Sequence, residues 1–177
     1  MSGHSKWSQI KRQKGVTDAK RANVFAKHAK IVALAARKGA DAKNNSELRA
    51  AIERARAVNM PAENIERAIK KGSGGGEDAN LEAVRFEAYG PEGVGIIIEA
   101  ITDNNNRTVQ EIKHLLAKHN AKFGAEGSVA WAFENKNGEW LPKTKTPVSE
   151  AGAASLDLLL EALDDHDDVQ AVYTNAE

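Results

Sequence analysis

The chain has 177 residues, no cysteine, and 25 Lys and Arg against 25 Asp and Glu. This length can bury the core of one or two small domains. The lack of cysteine excludes disulfides, thiol nucleophiles and cysteine-based zinc sites. No apolar run approaches the ~20 residues of a membrane-spanning helix. We therefore expect a cytoplasmic protein without a membrane partner, and the sequence leaves its oligomeric state open.

The zero net charge hides two halves of opposite sign, which meet at the glycine cluster 72–76. Residues 1–71 hold 17 Lys and Arg against 6 Asp and Glu, whereas residues 72–177 hold 8 against 19. The first 38 residues carry ten cations and the single acid Asp18. Such a segment suits nucleic acid, because cations displace condensed counterions from phosphates. A solvated lysine-rich helix face is the alternative interpretation.

The basic half predicts a mobile arm followed by helices. Residues 1–16 lack helical periodicity and mix glycine and serine with cations, so they predict a flexible basic arm. Apolar residues at helical spacing predict a three-helix basic domain over 17–71, and residues 72–80 predict a glycine-rich linker. The first helix is predicted to begin after a Thr17 cap and to end at Arg37. The second begins after a Ser46 cap and ends near Asn59. The third has Pro61 in its first turn and stops at Gly72.

In the acidic half, residues 81–177, the apolar period changes from 3.6 to 2. Val84, Phe86 and Ala88 alternate with polar residues, and Asn137-Gly138 has the positive-φ tolerance of a tight hairpin turn. The predicted elements are strands over 84–89, 94–102, 129–133, 140–141 and 169–174 and helices containing 109–116 and 156–163. The chain is therefore predicted to be an α+β multidomain protein, in which the three-helix bundle precedes a mainly antiparallel, sandwich-like α/β domain.

The predicted nucleic-acid contacts come from the arm and the first helix. Lysine-dominated helices bind phosphates and carry little base information, and no Arg, Asn or Gln cluster stands out for base reading in these basic helices. Recognition of the backbone or of nucleic-acid shape is therefore favoured, with Trp7 stacking on a base. The candidate residues are Lys6, Trp7, Lys11, Arg12, Lys14, Lys20, Arg21, Lys27 and Lys30.

A second candidate is a phosphate site in the polar stretch 103–108, which leads into a helix. Backbone N–H groups at a helix N-terminus can bind an anion. The residues that would contribute are Asn104, Asn106, Arg107 and Thr108. Helix capping is the alternative role for the same residue types.

The acidic run Asp164–Asp168, which contains His166, resembles a metal site in composition only. Five consecutive residues cannot converge on one ion without a loop frame such as that of a Ca²⁺ loop. We interpret the run as a solvated connector between the last helix and the last strand. The sequence also contains no phosphate loop and no serine nucleophile elbow. We therefore predict no metal, no cofactor and no enzymatic activity.

Six motifs in order resemble one family across nearly the whole chain. They are Ser2–Trp7, Asn59–Gly72, Gly90–Gly93, Thr102–Thr108, Gly127–Phe133 and Asp167–Tyr173. Together they resemble the YebC/PmpR family, which includes the mitochondrial translational activator of cytochrome oxidase subunit one. Family members usually insert a third domain between the strand at Trp131–Phe133 and the leucine-rich helix, and only a short loop stands there in this chain.

The resemblance implies control of gene expression. Bacterial members are mostly described as probable transcriptional regulators that bind DNA, so nucleic acid is the expected partner. One alternative is a ribosome-associated translation factor that binds ribosomal RNA and eases synthesis of proline-rich stretches. A further alternative is a protein–protein adaptor, in which the acidic half binds a basic partner.

Overall fold

The computed structural model describes residues 18–76 and 80–177. Its compact parts are two units. The helical unit takes in the described residues up to Ala83 together with Ile101–Asn105. The α/β unit takes in Val84–Ala100 and Asn106–Glu177.

The helical unit is built from helices α1 (Asp18–Ala36), α2 (Ser46–Ala57) and α3 (Ala62–Ser73). Each helix turns one apolar stripe inward, as the 3.6-residue period predicts. The shared core is formed by Val32, Ala35, Ala36, Leu48, Ala51, Ile52, Ala55, Met60, Ile65 and Ala68. The three predicted helices are thus confirmed, while the expected Thr17 cap lies outside the described residues.

The start of α2 differs from the prediction, because the cap is Asn45 and not Ser46. The Asn45 side chain accepts a hydrogen bond from the backbone N–H of Leu48 at 3.0 Å. Its amide nitrogen donates to the carbonyls of Ala35 and Gly39, at 2.8 Å each. One buried side chain therefore joins the end of α1 to the start of α2, a role that serine is too short to fill.

We expect Asn45→Ala to lower the free energy of unfolding of the helical unit by about 1–3 kcal/mol, because it removes the cap and the hydrogen bonds that the side chain donates to the carbonyls of Ala35 and Gly39. Urea denaturation followed by circular dichroism measures the loss. The control is Asn44→Ala at an exposed neighbour, which should change stability by less than about 0.5 kcal/mol. Equal losses in the two variants would contradict the capping role.

The α/β unit holds a four-stranded sheet in the order β3-β1-β2-β6 and a two-stranded hairpin of β4 and β5. The register is antiparallel between β1 and β3, β2 and β6, and β4 and β5. The strands are β1 (Glu82–Tyr89), β2 (Gly95–Thr102), β3 (Lys122–Gly124), β4 (Phe133–Lys136), β5 (Glu139–Pro142) and β6 (Val169–Thr174), and the helices are α4 (Asn105–Lys118) and α5 (Glu150–Asp164).

One face of the sheet carries the main core of this unit. Alternate residues of β1, β2 and β6 pack against the apolar stripes of α4 and α5, as expected for an α+β fold. The core includes Phe86, Ile96, Ile98, Val172, Ile112, Leu116, Leu156, Leu159, Leu160 and Leu163. The predicted inward side of β1 and the leucine helix are therefore confirmed.

The other face carries a smaller cluster that includes Ile97, Phe133 and Tyr173, with Trp140 packed against it. Burial, together with the charges of Glu99 and Glu139, raises the pKa of Tyr173 to about 12. The hairpin turn follows the prediction, since Asn137 and Gly138 both have positive φ, at 54° and 84°. The two faces make this unit sandwich-like.

The predicted strand over 129–133 is wrong. Residues Ala130–Ala132 form a short 3₁₀ helix, and β4 begins only at Phe133. Val129 and Phe133 are buried, but Trp131 between them is exposed, so the apolar alternation here does not mark one face of a strand. Strand β3 was not predicted, because its three residues are too short to show a period.

None of the helices in 18–76 and 80–177 is long and apolar enough to span a membrane.

Candidate nucleic-acid interface

Helix α1 carries four of the predicted contact residues, and the structure separates them. Lys20 and Arg21 are exposed, and Lys30 is partly exposed. The side chain of Lys27 is only 1% exposed, so it does not belong to an open cationic surface as the helical wheel predicted. Lys27 lies where the cationic arc meets the apolar stripe, and packing takes it inward. The arm residues Lys6, Trp7, Lys11, Arg12 and Lys14 lie outside the described residues.

Exposed cations continue beyond α1, which the sequence analysis did not include among the contact residues. Arg49 and Arg56 lie seven residues apart in α2, and this spacing places them on the same face of the helix. The seven-residue interval between two arginines was the sequence signal for this face. The other exposed cations are Arg37, Lys38, Lys43, Arg54, Arg67, Lys70 and Lys71.

Some of these cations contact acids on the same surface. Lys38 lies 2.7 Å from Glu47, Arg67 lies 3.1 Å from Glu63, and Arg21 lies 3.7 Å from Asp18. Exposed ion pairs of this kind contribute only about 0–1 kcal/mol. A phosphate can therefore replace the carboxylate as the partner of the cation at a small cost in free energy.

The second predicted site, at the start of α4, is held by internal hydrogen bonds. Arg107 donates to the Asp168 carboxylate at 2.9 Å, and the buried hydroxyl of Thr108 donates to the same oxygen at 2.7 Å. The backbone N–H of Asn104 donates to the Thr102 hydroxyl oxygen at 2.9 Å, and Asn106 is exposed. Phosphate binding here stays a prediction, because Arg107 and Thr108 already hold Asp168 and only the Asn104 contact belongs to the local turn.

The acidic run 164–168 is not simply the solvated connector that the sequence analysis described. Asp168 is only 4% exposed and is the acceptor for Arg107 and Thr108. Its backbone N–H donates to Nδ1 of His166 at 3.1 Å, so the ring proton lies on Nε2, which is 3.0 Å from a carboxylate oxygen of Glu111. One ring nitrogen therefore braces the connector itself, and the other joins the connector to α4.

Glu111, His166 and Asp168 bring three ligand atoms within 4.8 Å of one another. The fit to a metal ion is poor for two reasons that the contacts show. The Arg107 guanidinium already supplies positive charge to Asp168, and its Nε lies 3.8 Å from Glu111. His166 uses Nδ1 to accept a backbone hydrogen bond. The cluster is better explained as a clamp between α4 and the start of β6.

Glu87 is one of the polar residues of β1 that the alternating pattern places on the outward face, yet its carboxylate is buried. Glu87 is 2% exposed and accepts hydrogen bonds from the backbone N–H groups of Gly127 at 2.8 Å, Val129 at 2.6 Å and Ala130 at 2.8 Å. We call residues 125–132 the Trp131 loop. No sequence signal marks Glu87, because its partners lie about 40 positions away in the chain.

The electrostatics of Glu87 follow from these contacts. Burial opposes ionisation and by itself raises the pKa, but three backbone N–H donors and the nearby charge of Arg85 bring the pKa below its ordinary value. Glu87 is thus an ionised anchor for the Trp131 loop. The loop carries Trp131 on the surface, and the carboxylate fixes the backbone on which it stands.

Comparison with known proteins places the chain in a family. Residues 5–75 match the TACO1/YebC protein N-terminal domain, and 81–139 and 135–176 match the TACO1/YebC second and third domain. The second match comes in two pieces, which overlap at 135–139.

Among similar proteins, a probable transcriptional regulatory protein of Prochlorococcus marinus strain MIT 9313 is 50% identical over 167 residues, covering 92% of this chain. One of Desulfosudis oleivorans, with the same description, is 44% identical and covers all of this chain and 72% of its own. This chain spans only 66% of the length of the Prochlorococcus relative.

The crystal structure of a conserved hypothetical protein, Aq1575 from Aquifex aeolicus, superposes with a TM-score of 0.86 at 32% identity, covering 97% of this chain and 96% of that one. The domain matches and the relatives agree with the order of motifs along the sequence. The chain belongs to the TACO1/YebC family.

Proposed function

We propose that this chain is a cytoplasmic, non-enzymatic regulator of transcription that binds DNA through the phosphate-facing cations of its helical unit. The description of its relatives as probable transcriptional regulatory proteins supports the regulatory part of this proposal. The charge and exposure of the helical unit support the nucleic-acid part. The predicted arm contacts at Lys6, Trp7, Lys11, Arg12 and Lys14 belong to the same proposal.

The observation that carries the proposal is the surface charge of residues 18–76. This segment holds 13 Lys and Arg against 6 Asp and Glu, and 12 of the 13 cations are exposed or partly exposed. Residues 80–177 hold 8 against 17. A polyanion is therefore attracted to one unit and repelled by the other, which orients the protein on its partner.

The helices favour side-chain contacts along their length over contacts at their N-termini. Each of the three has an acid in its first turn, namely Asp18, Glu47 and Glu63. A carboxylate at that position repels a phosphate from the positive end of the helix dipole. Contacts made by long cationic side chains fix register on the backbone and read little sequence. We therefore expect modest base specificity.

The test replaces three exposed or partly exposed α1 cations together, as Lys20→Ala, Arg21→Ala and Lys30→Ala. Affinity for a duplex DNA is measured by fluorescence anisotropy over a range of salt concentrations. Each lost phosphate contact lowers the log–log salt slope by about 0.9 for duplex DNA. We expect the slope of the triple variant to fall by up to about 2.7, with weaker binding at low salt.

The matched control removes three exposed lysines of the α/β unit, as Lys118→Ala, Lys136→Ala and Lys145→Ala. This control should leave the slope unchanged. A ribosomal RNA fragment measured in parallel separates the two nucleic-acid partners, and tighter binding to RNA at equal salt would favour the translation alternative. An equal slope for the parent chain and the α1 triple variant would contradict the proposed interface.

A further inference from the structure

The α/β unit displays an aromatic pair that the proposed phosphate contacts do not use. Trp131 is 64% exposed, which is unusual for a large aromatic side chain, and Tyr89 is 38% exposed. Both belong to the surface around the Trp131 loop. An exposed tryptophan leaves a large apolar surface in contact with water, which is unfavourable. Its placement therefore points to a ligand that covers this surface.

The polar edges of both rings are already satisfied. Nε1 of Trp131 donates to the carbonyl oxygen of Ser128 at 2.8 Å, and the Tyr89 hydroxyl donates to the same oxygen at 2.8 Å. One carbonyl thus fixes the polar tips of the two side chains near each other. What remains for a ligand is aromatic surface, which recognises another flat ring by stacking.

The backbone beneath the pair is fixed in advance. The Glu87 carboxylate accepts hydrogen bonds from the backbone N–H groups of Gly127, Val129 and Ala130. These residues flank Ser128 and directly precede Trp131. Gly124 adds to this fit, because a Cβ at that position would lie 2.6 Å from the Ser128 hydroxyl oxygen. A rigid support lowers the ordering cost of binding, as in binding sites built on fixed elements.

The charge beside the pair suits a ligand that carries phosphate. Lys122 is exposed and is the register partner of Tyr89 on the neighbouring strand. The backbone N–H of the exposed Lys143 donates to the carbonyl of Ala132, at the end of the loop, at 2.8 Å. The loop carries one exposed acid, Glu126, and the carboxylate of Glu87 beneath it is ionised. The two lysines thus offset these negative charges in a unit that is acidic as a whole.

We propose that Trp131, with Tyr89 beside it, is a stacking platform for an unpaired nucleobase. The inference rests on the proposed function, because the helical unit supplies the main affinity for nucleic acid. A base offers a flat ring that can stack on the exposed face of the indole. The phosphate next to that base contacts Lys122. Stacking is tolerant of sequence, in keeping with recognition of the backbone by the helices.

The experiment compares three probes: a blunt DNA duplex, the same duplex with a single-stranded oligothymidine tail, and the same duplex with an abasic tail of equal length. Stacking on an aromatic side chain is worth about 1–3 kcal/mol per base, so Trp131→Ala should weaken binding to the thymidine tail roughly 5- to 150-fold relative to the parent chain. Its affinity for the blunt and abasic probes should stay that of the parent. Trp131→Phe, which keeps a ring, should retain most of the affinity.

The outcomes separate this inference from the proposed function. If the parent chain binds all three probes equally and Trp131→Ala changes nothing, the platform is overturned while phosphate binding by the helices stands. An equal loss on all three probes also overturns it, because the effect would then not depend on a base. If the parent chain binds none of the probes, the proposed function and the platform fail together.

Discussion

Gly72→Ala is expected to lower the free energy of unfolding of the helical unit by about 3–5 kcal/mol, among the largest effects of any single substitution in this chain. Gly72 is buried in the last turn of α3, where that helix crosses α1. A Cβ at this position would lie 2.0 Å from the carbonyl oxygen of Ala33 and 2.7 Å from its Cα. These are backbone atoms of α1, so the clash can be relieved only by moving a whole helix.

Gly76→Ala is the matched control, because a Cβ there meets no atom within 4 Å. It should change stability by less than about 0.5 kcal/mol. Chemical denaturation of both variants, followed by circular dichroism, measures the difference. If Gly72→Ala is as stable as the control, the close approach of α1 and α3 is not as described.

The second large effect is expected at Glu87. Glu87→Gln should lower the free energy of unfolding of the α/β unit at neutral pH by about 2–4 kcal/mol, because charge-assisted hydrogen bonds are the strong ones and a neutral amide replaces one acceptor oxygen by a donor. The –NH₂ group would then face backbone N–H groups that also donate. Glu126→Gln, an exposed acid in the same loop, is the control and should change stability little.

The pH dependence gives an independent readout of Glu87. Its pKa is lowered in the folded chain, so its stabilising contribution is complete above the pKa of the unfolded chain, about 4.3. The contribution is lost as the pH falls through the lower folded value. The stability difference between the parent chain and Glu87→Gln should therefore shrink below about pH 4.3. A difference that is constant from pH 7 to the acid limit, about pH 3, would contradict the ionised anchor.

Features set by neighbouring residues could be predicted from the sequence. The three helices, the leucine stripe of α5 and the inward residues of β1 follow from apolar periodicity. The Asn137-Gly138 turn follows from the conformational freedom of two adjacent residues. These predictions need no knowledge of distant parts of the chain, and the structure confirms them.

Features set by contacts between distant segments could not be predicted. Glu87 occupies an outward position of a strand, yet the Trp131 loop covers it with three N–H donors. Asp168 lies in an acidic run, yet its carboxylate bonds to Thr108, 60 positions earlier. The sequence places Gly72 at the start of a linker, yet it lies in the last turn of α3, where it closely approaches α1. In each case the partner lies far away in sequence.

The candidate interface likewise combines a feature that could be predicted from the sequence with features that could not. The exposure of Lys20, Arg21 and Lys30 agrees with a cationic side of α1. The burial of Lys27, on the same arc, could not be read from the sequence, because a boundary position can point either way and packing decides. The cations of α2 were missed because the prediction rested on the density of charge near the start of the chain.

The central claim is that the helical unit contacts phosphates, and lysine footprinting tests it most directly. The whole chain is acetylated with and without duplex DNA, and the reactivity of each lysine is measured by mass spectrometry. The account predicts that Lys20 and Lys30 lose reactivity on DNA, while Lys118 and Lys136 keep theirs. Protection confined to residues 80–177, or no protection at any lysine of the helices, would contradict it.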